Sequence, residues 1–353
     1  MNAPFEKAVA LLQKLIAQPS FSREENSTAD ILSEFFLSQK LSPERIGNNI
    51  LVQHHSTMED RPCILLCSHH DTVKPNAGYS RDPFSPDIEK GKLYGLGSND
   101  AGASLVSMIM AFLHLIRKHP TMNIILAAVA EEEISGPGGV SAVLSSLPAI
   151  DLAIVGEPTE MRMAVAEKGL VVIDGIVNGV PGHAAHENTK NPIYLACRDI
   201  QRIEKFKFDR ESKFLGKTKA SVTVINAGQA HNQVPAKCQF VVDVRVNEAY
   251  TLEEIVELLQ AEVESKLTAR SLRLRSSGLD SDHRMWEVAR SLQLDTFGSA
   301  TLSDQALMPF PSIKIGPGDT LRSHAADEFV YLSEIEDGIE KYIELVEAYI
   351  NAL

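Results

Sequence analysis

Aromatic residues make up only 6% of this 353-residue chain, which has a single tryptophan, and 34 basic side chains face 47 acidic ones. The net charge of −13 argues against nucleic acid or an anionic membrane as partner, since either would be repelled over most of the surface. Cysteine is scarce too. Cys63, Cys67, Cys197 and Cys238 stand among apolar neighbours, without the paired spacing of a zinc ribbon or a disulfide framework. They read as buried thiols in a reducing compartment. No uninterrupted apolar run approaches the ~20 residues of a membrane span. The opening stretch MNAPFEKAVALLQKLIAQPSFS mixes charges into a helical apolar pattern, unlike a signal core. The expected location is the cytoplasm.

What the chain does have is 44% hydrophobic residues, enough for two domains with cores of their own. From residue 5 to about 168, helical and strand patterns alternate as a helix-covered sheet requires. Helices are expected at 5–17, 26–40 and 103–118, and strands at 49–54, 62–68, 123–130 and 152–156. Between 169 and 277 the order becomes strand 170–178, helix 191–204, strand 219–227, strand 236–246, helix 251–266 and strand 271–276. That β-α-β-β-α-β order is the split arrangement of a ferredoxin-like sandwich. Helices near 281–293 and 331–351 then flank a short strand at 312–315, a segment too small to stand alone. The expected architecture is therefore an α/β domain of residues 1–168 and 278–353, with a ferredoxin-like α+β domain, 169–277, inserted into it.

Metal-ligand residue types gather at the expected strand ends. Strand 62–68 runs into SHHDTVKP, and open α/β sheets place their ligands outside the carboxyl ends of strands. His69 and Asp71 close that strand, and Asp100 lies in the glycine-punctuated loop GKLYGLGSNDAGAS. Glu131, Glu132 and Glu133 end NIILAAVA, Glu157 ends DLAIVG, and His324 follows the GPGD turn. Singly, each has an ordinary explanation as a turn residue, a cap, or a carboxylate at a helix N-terminus. Jointly, they are the donor set of two borderline divalent ions such as zinc, with a carboxylate bridging them. GLGSNDAG lacks the glycine spacing and the acidic partner of a dinucleotide site.

The stretches SHHDTV, GLGSND, AEEEISG, VGEPT, GVPGHAAHENTKNPI, INAGQAHNQVP, VDVRV and GPGDTLRSHAADE together resemble the M20 peptidases, a family of metal-dependent aminoacylases and carboxypeptidases. The resemblance spans almost the whole chain. It implies a zinc-exopeptidase-like catalytic domain, a mixed sheet flanked by helices, with the inserted domain serving as dimerisation or lid domain. It also implies two divalent metal ions, zinc first and cobalt as the alternative. One would take His69, Asp100 and Glu157, and the other Asp100, Glu133 and His324. Asp71 would orient the His69 imidazole, with His70 turned aside by strand alternation. Glu132 would be the general base, taking a proton from the attacking water and passing it to the departing amine.

From the inserted domain, the resemblance makes His183 an oxyanion donor brought across the two-fold interface of a homodimer. Asn232 and Arg245 would grip substrate, a guanidinium suiting a carboxylate. Gly316 and Gly318 would shape the backbone near that carboxylate, and Arg322 would meet a succinyl-type carboxylate. MAVAEKGL and SDQALMPFPSIKIGPGD point toward acetylornithine deacetylase-like members. The implied substrate is a small N-acyl amino acid, N-acetyl-L-ornithine in arginine biosynthesis. N-succinylornithine, succinyl-diaminopimelate and dipeptides are the alternatives. Departures from the family pattern are Ser68 for a glycine, Leu96 within its Gly-Arg-Gly, and a third glutamate that leaves the register open by one. The spacing of Ile134, Ser135 and Gly136 favours Glu132 and Glu133. No ligand position is missing, which argues against a non-catalytic binding protein.

Overall fold

A computed structural model describes residues 3–56 and 61–352. The chain divides into two compact units. One takes in the chain up to Val165, Leu279–Phe297 and the chain from Ser303 onward, and the other is Ala166–Gly278 with Gly298–Leu302.

In the first unit the apolar run Cys63–His69 is buried along its whole length, as a strand covered on both faces must be. It pairs in parallel with Asn123–Val129 on one side and Leu152–Val155 on the other. Ser312–Lys314 continues the parallel set beyond Leu152–Val155, while Asn49–His54 joins Asn123–Val129 antiparallel, so the sheet is mixed. Strand alternation sends Cys63, Leu65 and Cys67 into one apolar cluster with Ile125, Ala127, Val129 and Ala153. Fully buried Leu65, Ile125 and Val129 each contribute roughly 2 kcal/mol. Helix Ala103–Lys118 packs against Leu332–Asn351 and Ala3–Ile16. Among the described residues the helical segment Ser98–Lys118 is long and apolar enough to cross a membrane, but 83% of its apolar window is buried in protein. It is the central helix of a folded core.

The second unit is a four-stranded antiparallel sheet in the order Lys219–Ala227, Lys237–Val246, Gly169–Asn178, Lys266–Ala269. Helices Pro192–Lys205 and Leu252–Glu262 supply Leu195, Ile203, Ile255 and Leu259 to its core. This is the ferredoxin-like arrangement, with two corrections. The second helix stops at Glu262 rather than near 266, because Asp199 accepts both the Ser265 N–H at 2.7 Å and its hydroxyl at 2.5 Å. Gln260 Oε1 then accepts the Leu267 N–H at 2.9 Å, and the last strand is Lys266–Ala269 rather than 271–276. In the first unit, the helix expected at 281–293 is confined to Met285–Ser291.

Candidate metal centre

Three parallel strands that share a carboxyl edge deliver the residues after them to one place. His69 ends its strand there, Glu132 and Glu133 come after Asn123–Val129 in a short 3-10 turn, and Glu157 comes after Leu152–Val155. Asp100 arrives from the turn before helix Ala103–Lys118, at a cis Asp100–Ala101 peptide, and His324 from the loop after Ser312–Lys314 with φ 58°. His69 Nε2 stands 3.2 Å from Asp100 Oδ1 and 3.7 Å from Glu157 Oε1. His324 Nε2 stands 3.0 Å from Glu133 Oε2 and 3.8 Å from Asp100 Oδ2. Asp100 thus lies between the two imidazoles. Two triads, His69 with Asp100 and Glu133, and His69 with Glu132 and Glu157, each bring their ligand atoms within 4.8 Å of one another.

This crowding shows in the proton affinities. Burial pushes the Glu132 carboxyl well above the usual range, against the pull of His69 and with Glu157 and Asp304 adding to it. Burial likewise lifts Glu157 to about 8, His69 opposing and Asp100 reinforcing. The hydrogen bond to Glu133 raises His324 to about 9. Burial opposes charge on His69, yet Asp100, Asp71, Glu157 and Glu132 together hold its pKa well above normal. Glu132 and Glu157 thus hold protons that a divalent cation would displace, so the donor set fits a metal pair.

Behind the donors, three carboxylates hold the loops. The His69 Nδ1 contact is 2.9 Å to the main-chain oxygen of Asp71 and 3.5 Å to its carboxylate. The main chain, more than the expected carboxylate, therefore fixes this imidazole. The Asp71 carboxylate accepts the N–H groups of Glu132 at 3.0 Å and Glu133 at 3.2 Å. Glu131 turns away, its carboxylate accepting the Gly138 N–H at 3.2 Å. His70 also turns aside, to Thr28 Oγ1 and the Asn48 carbonyl. Glu328, which no sequence motif singled out, is 2% exposed and accepts the N–H groups of Gly97, Asn99 and Asp100 at 2.8–3.0 Å. Its burial and the nearby Asp100 raise its pKa to about 8. The only sequence signal for it was a carboxylate closing the SHAADE motif just before an apolar strand.

Gly316 and Arg322 have partners of their own in the structure. Gly316 is a packing glycine: its N–H donates to Thr159 Oγ1 at 3.0 Å, and a Cβ there would lie 2.3 Å from Ser104 Oγ and 2.5 Å from the Glu157 carbonyl. It seats the Glu157 turn. Nearby Gly318 has φ +94°, and a Cβ there would meet Asn99 Oδ1 at 2.5 Å. Arg322 places both guanidinium ends on Glu334, at 2.9 and 2.5 Å, and also donates to the Phe329 carbonyl. That pairing ties it to the first turn of helix Leu332–Asn351.

In the second unit, His183 is exposed on the short ladder Gly182–His183 with Gln233–Val234, and the Asn232 carbonyl accepts the Ala184 N–H at 2.9 Å. The sequence-expected His183 and Asn232 are therefore neighbours. Arg245 is forked onto Asp243 of its own strand at 2.9 and 3.2 Å.

The sequence profile described as peptidase family M20/M25/M40 matches residues 65–348. An acetylornithine deacetylase from Proteus mirabilis is 27% identical, covering 99% of this chain and 98% of its own length. A succinyl-diaminopimelate desuccinylase from a Ruegeria species is 25% identical over 93% and 91%. Among solved structures, a Staphylococcus aureus tripeptidase superposes with a TM-score of 0.80 at 20% identity, covering 98% of this chain and 99% of its own. A Bacillus subtilis protein described as a dinuclear metal-binding peptidase of the M20 family superposes at 0.77 and 15% identity, over 99% of each chain.

Proposed function

The chain belongs to peptidase family M20/M25/M40, a metal-dependent hydrolase of amide bonds, and from that premise we propose that it removes the acyl group from an N-acylated amino acid, first of all N-acetyl-L-ornithine. The observation that carries the reading is the convergence of His69, Asp100, Glu133, Glu157 and His324 around Glu132 at one sheet edge. Two divalent ions, zinc by donor type and cobalt as the alternative, would be held by His69, Asp100 and Glu157 and by Asp100, Glu133 and His324. When bound they would supply an acidified water and polarisation of the scissile carbonyl.

Every remaining role belongs to the chain. Glu132 removes the proton from the attacking water and returns it to the leaving amine. Asp71 holds the Glu132 and Glu133 main chain. His183 donates to the developing oxyanion and Asn232 grips the substrate, both assigned from the sequence match. Arg245 holds the substrate carboxylate by exchanging it for Asp243.

The working form we propose is a homodimer joined through the second unit. Strand Lys219–Ala227 ends its sheet and carries Val224 and Ile225 at 44% and 49% exposure, apolar side chains that a lone edge strand ordinarily replaces with charge.

N-acetylornithine stands first because acetylornithine deacetylases match the chain over nearly its full length. The test is amine release from N-acetyl-, N-succinyl- and N-formylornithine, N-succinyl-diaminopimelate and dipeptides, with zinc or cobalt supplied. The highest kcat/KM is expected on N-acetylornithine, in keeping with a step of arginine biosynthesis. Preference for a succinyl substrate would replace the acyl assignment, and no hydrolysis of any would end the deacylase reading.

A further inference from the structure

The glutamate turn has a support that the metal chemistry does not call for. Glu131 has φ 53°, and the 3-10 turn after it leaves the sheet, so three successive N–H groups lose their ladder partners. Each donates to a carboxylate: Glu131 to Glu25 Oε1 at 3.2 Å, Glu132 to Asp71 Oδ1 at 3.0 Å, Glu133 to Asp71 Oδ2 at 3.2 Å. Both carboxylates are buried, Glu25 at 0% exposure and Asp71 at 1%.

Both are also fixed by the segment between the first two helices. The Ser22 hydroxyl donates to Asp71 Oδ2 at 2.7 Å. Glu25 comes from the segment itself, accepting the Arg23 N–H at 2.5 Å on Oε1 and the Asn48 amide at 2.8 Å on Oε2. The segment is in turn pinned to the strand end by the Thr72 N–H, which donates to the Ser20 carbonyl at 2.8 Å. Hydrogen bonds from main-chain N–H to a buried carboxylate are charge-assisted, and each freed group would be left unsatisfied at real cost.

We propose that Ser22 and Glu25 are positioning residues for the catalytic base: Ser22 through Asp71, and Glu25 directly, fix the main-chain direction of the glutamate turn and hence the place of the Glu132 carboxylate. This rests on the reading of Glu132 as the base. Its ground is the Asp71 geometry, in which the carboxylate is closer to the turn amides than to the His69 ring. A shift of about 1 Å in a reacting group can cost about a hundredfold in rate.

The experiment compares wild type, Ser22→Ala, Ser22→Thr and Glu25→Gln, all zinc-loaded, on the best N-acyl substrate. Steady-state kinetics, bound zinc and amide hydrogen exchange over residues 130–136 are measured on the same samples. Ser22→Ala and Glu25→Gln are expected to lower kcat about tenfold or more while KM and zinc content stay at wild-type values. Exchange across the turn should quicken in both. Ser22→Thr, which keeps the hydroxyl, should recover most of kcat and the slow exchange. Wild-type kcat in Ser22→Ala, unchanged exchange, or a kcat loss matched by zinc loss would overturn the proposal. If the wild type hydrolyses nothing, the deacylase reading fails, and the exchange data alone judge the brace.

Discussion

Of all single residues, Glu132 and Glu133 divide the chemistry most sharply. Glu133 touches His324 at 3.0 Å, whereas Glu132 is half-buried beside His69 and Glu157 and sits in a ligand-type triad with them. Glu132→Ala is expected to keep its metal and lose turnover by at least about a hundredfold, the share typical of a general base. Glu133→Ala should lose metal. Elemental analysis with the same assay checks this, and the opposite pattern would move the register by one residue. His69 and Asp71 were readable in the sequence because a buried apolar run sets the strand's end, and alternation sets which of its last residues face the site. Ser22, Glu25 and Glu328 were not: Glu25 and Glu328 accept main-chain N–H groups and Ser22 donates to the Asp71 carboxylate, and nothing in a side-chain pattern says which distant group each will meet.

Strands and helices were legible wherever one periodicity dominated. Asn49–His54 and Lys219–Ala227 match their expected limits. The end of helix Leu252–Glu262 was misread because apolar spacing continued while Asp199, 66 residues away, captured Ser265. Likewise, nothing in GDTLRSHAADE foretold that Arg322 pairs with Glu334, on another element. The edge strand Lys219–Ala227 carries its own prediction. Charges at its exposed apolar pair, Val224→Lys with Ile225→Glu, should convert a dimer to a monomer by sedimentation with unchanged circular dichroism. An unaltered dimer would place the interface elsewhere.

Across the whole molecule, the metal-free chain should be sensitive to alkali. Burial holds Glu157 and Glu328 up to about 8, and the Glu133 contact holds His324 up to about 9. A carboxyl with a raised folded pKa lends stability that is complete below its unfolded value of about 4.3 and lost as pH rises through the folded one. A raised histidine behaves alike, losing its contribution between about 6.5 and its folded value. All three act in one direction, so the Tm of stripped protein should fall from about pH 5.5 to about pH 8.5, and added zinc should flatten the decline by displacing the protons of Glu157 and His324. A Tm that rises over this range without metal would contradict the crowding described at the sheet edge. The central claim, a metal pair serving Glu132, is tested most directly by titrating the stripped chain with zinc while monitoring bound metal and amine release from N-acetylornithine together. The expected result is about two equivalents bound per chain, with turnover absent at the start and restored as the sites fill. Full hydrolysis by the stripped chain, or zinc that does not bind, would contradict it.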